Sequence, residues 1–116
     1  MHLNITADGN HYKVGFLPDE TKNEAFSGPV REQLLELVGD RDARVILDLD
    51  ALTYIDTAGF GVLREISARA RHAGSQFKLC NIRDEVREMI LLMELEGEFT
   101  FCHCEREEER VLLVLG

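Results

Sequence analysis

The chain has 116 residues, 45% of them apolar, and a formal net charge of −9. That length suits a single domain over residues 1–116 with one core, and the apolar share excludes a chain too polar to fold. The charge excludes non-specific nucleic-acid binding and docking on anionic lipid, and no apolar run approaches the roughly 20 residues of a membrane span. A basic protein partner fits the charge instead.

Met1-His2-Leu3-Asn4 lacks the basic head and apolar stretch of a signal peptide, so a cytoplasmic location is expected. Leu3, Ile5 and Ala7 alternate with polar residues, as in a half-buried strand. Asp8-Gly9-Asn10 is a turn signal, and Tyr12 to Leu17 reads as the second strand of a hairpin. A helix is expected from about Pro29 to Val38, with Val30, Leu34, Leu37 and Val38 on its inner side. Ser27 is placed to cap it, and Pro29 suits its first turn. Val45 to Leu49 is mostly apolar, which predicts a central strand.

Next comes a helix from Thr57 to Ala73, terminated by Gly74. Phe77 to Asn81 is a strand. Asp84 to Met93 is a helix with Val86, Met89, Ile90 and Met93 inward. Thr100 to Cys104 is a last strand, and Glu107 to Leu115 a short closing helix with an acidic start. The order predicts an α/β fold: a mixed, mostly parallel sheet that begins with an antiparallel hairpin and is flanked by about four helices.

Three cysteines, Cys80, Cys102 and Cys104, are an odd number, which points to reduced thiols. Cys102-His103-Cys104 does not make a metal site. On a strand the two sulfurs share one face and the imidazole takes the other, and no second pair completes a tetrahedral set. No metal or cofactor is expected. The run Glu105 to Arg110 reads as a solvated helix start.

The stretch Asp56-Thr57-Ala58-Gly59-Phe60-Gly61-Val62-Leu63 is the most informative one. It puts a hydroxyl beside a carboxylate at the mouth of a helix, where Thr57 can meet an unpaired backbone N–H. Gly59 and Gly61 each cost about 1 kcal/mol relative to Ala inside a helix. Two readings account for them: close packing of the helix on the sheet, or a bare surface that lets a partner approach Thr57. Val62, Leu63, Ile66 and Ala70 form the expected buried stripe. Gly61, Arg64, Ala68 and Arg71 fall on the outer side near Thr57. Phe60 has two readings as well, a core residue or an exposed apolar anchor. No His lies near Asp56 and Thr57 in the sequence, no Gly-x-Gly-x-x-Gly follows a strand and no phosphate loop with Lys is present, so an enzyme is not expected.

At these residues the chain resembles the STAS domain family, and within it the bacterial anti-sigma-factor antagonists. The likeness is carried by the strand Val-Ile-Leu-Asp-Leu, by residues 56–63, by Gly74 before the next strand, and by Asn81-Ile82-Arg83-Asp84-Glu85-Val86-Arg87 with the apolar helix to Leu95. The resemblance implies a partner switch. The unmodified form binds an anti-sigma factor, which is also a kinase of the histidine-kinase-like ATPase type, and so frees the sigma factor. Phosphorylation of the hydroxyl residue after the Asp, here Thr57, abolishes that binding, and a phosphatase resets it. ATP and magnesium belong to the kinase. Many members carry Ser-Ser after the Asp; Thr-Ala leaves one acceptor. The partner-contacting candidates are Asp56, Ala58, Gly59, Phe60, Gly61 and Arg64, with Asp19 and Glu20 in the loop after the second strand. The motif is also similar to STAS subunits of ABC-type lipid-transport complexes, where a Thr at this place supports binding to the ATPase.

Overall fold

A computed structural model describes residues 3–17 and 25–102. It contains strands β1 (Leu3–Asp8) and β2 (His11–Phe16), helix α1 (Gly28–Val38), strand β3 (Arg44–Asp48), helix α2 (Thr57–Ala73), strand β4 (Gln76–Cys80), helix α3 (Asp84–Leu92) and strand β5 (Thr100–Phe101). β1 and β2 pair antiparallel, with Asp8 opposite His11, so only Gly9 and Asn10 make the turn. Gly9 supplies the positive φ, +64°, that such a two-residue turn needs.

The strands lie in the order β1-β2-β3-β4-β5, and every pairing after the hairpin is parallel. Each of the three crossovers therefore advances one strand in the same direction. Right-handed crossovers then put α1, α2 and α3 on one face of the sheet. The side chains obey this. Val14, Leu47 and Leu79 are register neighbours, all fully buried, and belong to one core with Leu34, Leu63 and Val86 from the three helices. The alternate row, Lys13, Ile46 and Lys78, is only half-buried on the opposite face.

Local chemistry sets the helix ends. Pro29 occupies the first turn of α1, and Val30, Leu34 and Val38 are buried at spacings of four. Leu37, expected inside, is half-buried. Ser27 occupies the N-cap position, yet its side chain makes no capping bond. Gly74 ends α2 in the left-handed conformation, φ +84°, and both Gly74 and Ser75 donate their N–H to the Ala70 carbonyl.

Besides one-residue displacements of β2, β3 and β4, two boundaries differ from the sequence reading. α3 stops at Leu92, and Met93, expected inside, is an exposed cap. β5 has only Thr100 and Phe101 in the ladder. It pairs with β4 alone, so its length is set by that one register, and Cys102 adds a last bond to the Leu79 carbonyl. His103, Cys104 and the expected helix 107–115 lie outside the described residues, and three helices are present among the described ones. The expectation of reduced thiols fails at Cys80, which is disulfide-bonded. An odd count guarantees only one unpaired sulfur within a chain; it leaves room for a bridge. No helix among the described residues is long and apolar enough to cross a membrane.

Candidate functional site

The segment that delivers Thr57 leaves β3 at its C-terminal end. Three apolar residues three positions apart, Leu49, Leu52 and Ile55, are buried and hold it against the core. Between them Asp50, Ala51, Thr53 and Tyr54 face solvent. The Leu52 N–H donates to the Leu49 carbonyl at 2.9 Å, closing a tight turn. The Asp50 N–H donates to Asp48 Oδ1 at 2.8 Å, a local side-chain bond of the kind Asp favours.

Helix α2 then begins. Asp56, not Thr57, is the N-cap: it has extended backbone, φ −82° and ψ 175°, and its Oδ1 accepts the Gly59 N–H at 2.7 Å. Thr57 is the first helical residue and is exposed, as is Ala58. The capping work assigned to the Thr57 hydroxyl is thus done by the neighbouring carboxylate. The alcohol sits at the positive end of the helix dipole without being needed there.

The two glycines answer the two readings separately. Gly59 is buried. A Cβ on it meets Ile55 Cγ2 at 2.8 Å, with Asp56 Oδ1 and Phe26 Cδ2 at 3.1 Å each. This is close packing of the helix start. Gly61 is exposed, and a Cβ there meets nothing within 4 Å. This is open surface on the same side as Thr57.

Phe60 is not an exposed anchor. It is 1% exposed and belongs to the core, because it heads the inward stripe Phe60, Leu63, Ile66, Ser67 and Ala70. Val62, expected in that stripe, is half-buried. Arg64 is on the outer side as expected, where its Nε donates to Glu98 Oε1 at 3.2 Å. Ala68 and Arg71 are exposed too. Asp19 and Glu20 lie outside the described residues.

Sequence reasoning missed two features. Tyr54 is 64% exposed, three residues before Thr57, and adds a large aromatic surface beside it. Its signal was its place between the buried Leu52 and Ile55. The second is the contact of this loop with the one after β4, which no local pattern marks.

The site is a helix start with an exposed alcohol on its first turn. A groove of about 500 Å³ between α3 and β5, lined by Leu79, Ile82, Ile90, Leu91 and Phe101, includes none of residues 56–64. No group of three His, Cys, Asp or Glu placed to hold a metal occurs among the described residues. Comparison with known proteins bears on the same stretch. The STAS domain family matches residues 25–109. The chain belongs to the STAS family. BtrV of Bordetella bronchiseptica, which carries the name of an anti-sigma factor antagonist, is 31% identical over 67 residues; that similarity spans 58% of this chain and 58% of BtrV.

Solved STAS structures superpose on nearly the whole chain. An anti-sigma-factor antagonist (STAS) domain protein from Planctomyces limnophilus has a TM-score of 0.76 at 14% identity, covering 91% of this chain and 93% of the other. An anti-sigma factor antagonist from Mycobacterium paratuberculosis gives 0.71 at 13%, covering 94% and 91%. Unphosphorylated SpoIIAA gives 0.68 at 13%, covering 94% and 95%. At such identities these structures support the STAS fold: a mixed sheet with an N-terminal hairpin followed by parallel strands.

Proposed function

We propose that this STAS protein is an anti-sigma factor antagonist that works as a phosphorylation-controlled partner switch, with Thr57 as the acceptor. The observation that carries the reading is the division of labour at the start of α2: Asp56 caps the helix, and Thr57 is left exposed on its first turn. BtrV and the antagonists of the same fold support the general role.

In the unmodified state the partner packs against Thr57, Ala58 and the bare backbone at Gly61, with Asp56, Arg64 and Tyr54 at the edges. Gly59 acts from beneath, by letting the helix start sit close to Ile55 and Phe26. A phosphoryl group on Thr57 adds about −1.5 to −2 charges beside the Asp56 carboxylate. Burying that dianion in an interface is costly, and a loss of about 2.7 kcal/mol already weakens binding ~100-fold.

The test is direct. The chain is incubated with its anti-sigma kinase, ATP and magnesium, and its intact mass is measured. We expect the gain of one phosphoryl group, lost in Thr57→Ala. Thr57→Asp is expected to bind the anti-sigma factor ~100-fold more weakly than the unmodified chain. No mass gain with an active kinase, or full binding by Thr57→Asp, contradicts the proposal. Co-purification of the unmodified chain with an ABC-type ATPase points to a transport subunit instead.

A further inference from the structure

The loop that presents Thr57 is held from two directions. Its buried residues anchor it from below. From the side it is bonded to the β4–α3 loop, 33 residues away in sequence. Asn81 Nδ2 donates to Asp48 Oδ2 at 3.1 Å, and Arg83 Nε donates to the Asp50 carbonyl at 2.6 Å. The Leu49 N–H donates to the Cys80 carbonyl at 3.0 Å. Both carboxylate oxygens of Asp48 are thereby used, one by Asn81 and the other by the Asp50 N–H.

The geometry of Asn81 is itself unusual. Its φ is +54°, in the left-handed region that most side chains avoid. Asn tolerates that region, and here the turn aims its amide back at Asp48. Arg83 is the N-cap residue of α3, but its side chain makes no capping bond. A guanidinium carries donors only and cannot accept a helix N–H, so its Nε is available to the neighbouring loop. Both side chains are committed to the segment upstream of Thr57.

We infer that Asn81 and Arg83 are positioning residues for the Thr57 loop: their side chains clamp residues 48–50 so that the start of α2 is presented in one conformation to whatever docks on it. This rests on the reading that Thr57 is the modified residue. A loop ordered in advance loses less conformational entropy on docking. Releasing it weakens recognition without touching the phosphoryl-transfer step.

Three variants of the full chain test this. Arg83→Met keeps the aliphatic stem and removes the donors. Arg83→Lys restores a donor. Asn81→Gly keeps the positive φ and deletes only the amide. The first readout is amide hydrogen exchange. In Arg83→Met and Asn81→Gly, exchange across residues 49–56 is expected to rise about tenfold, with β4 and the second half of α2 unchanged. The second is the kinetics of Thr57 phosphorylation by the kinase of the preceding experiment. We expect KM to rise about tenfold with kcat within about twofold of wild type, and Arg83→Lys to recover most of the loss.

A merely structural role lowers the folded fraction, raising exchange throughout and leaving KM alone; that result overturns the inference. So does unchanged exchange over 49–56 in both deletion variants. If Asn81→Gly fails to fold, Arg83→Met, an exposed side chain, carries the test. If no kinase labels the wild type, the reading of Thr57 falls, and the exchange measurement still decides whether the clamp orders the loop.

Discussion

Two glycines two positions apart do different jobs, and single methyl groups separate them. At Gly59 a Cβ lands 2.8 Å from Ile55 Cγ2 and 3.1 Å from Phe26. Ile55 is buried, and half-buried Phe26 packs edge-on against Phe16 with ring centroids 5.3 Å apart, so a shift of either disturbs packed neighbours. Gly59→Ala is expected to destabilise by about 1–3 kcal/mol, the usual range for overpacking. At Gly61 the added methyl meets open space. Gly61→Ala is expected to stabilise the helix by up to about 1 kcal/mol and to weaken the partner, whose approach it obstructs. Urea denaturation of both variants with a binding measurement on the second checks the pair. Opposite signs in stability are the outcome that supports the division. Asp56→Ala removes the 2.7 Å cap to Gly59 and is expected to cost about 1 kcal/mol by the same denaturation assay.

At the scale of elements, α1 and α2 are joined across their exposed sides by Arg31 and Glu65. Arg31 Nε donates to Glu65 Oε1 at 2.7 Å, and a second guanidinium nitrogen meets Oε2, making a bidentate pair. The hydrogen bond and charge of Arg31 hold the Glu65 carboxyl below its ordinary value, and Glu65 in turn raises Arg31. Because the folded value of Glu65 is depressed, its contribution is present above the unfolded value of about 4.3 and is lost as pH falls through the folded one. Glu65→Gln is therefore expected to melt slightly below wild type at pH 7, with the gap closing at acid pH and in high salt. Thermal melts across pH and ionic strength check this.

How much was legible follows from the same elements. α2 runs from Thr57 to Ala73 as the sequence indicates, because a capping Asp and a closing Gly bracket a sustained apolar stripe. β3 and β4 are each displaced by one residue from the sequence reading, since continuous apolar runs mark a strand's existence better than its ends. Phe60 was open to two readings because a residue in a first helical turn has too few periodic neighbours to fix its face. The Asn81–Asp48 and Arg83–Asp50 contacts were illegible: each joins residues 33 apart, and only the parallel register of β3 and β4 brings them together.

For the whole molecule, one-directional winding separates stability from recognition. The helices share one face of the sheet and bury one core there, while the loops carrying Thr57 and Arg83 gather at the C-terminal ends of β3 and β4. A phosphoryl group on Thr57 meets the end of α2 rather than the core. The helix dipole and free N–H groups favour it by about 0.3–1 kcal/mol, and the like charge of Asp56 opposes it. The two effects nearly offset. The phosphorylated chain is expected to differ from the unmodified one by less than about 1 kcal/mol in stability, a shift of a few degrees at most in Tm. Its anti-sigma factor affinity is expected to fall ~100-fold. Parallel melting and titration of the two forms decide the matter. A phosphoprotein that has lost ~3 kcal/mol of stability together with its partner acts by unfolding its docking face, and the separation argued from the fold then fails.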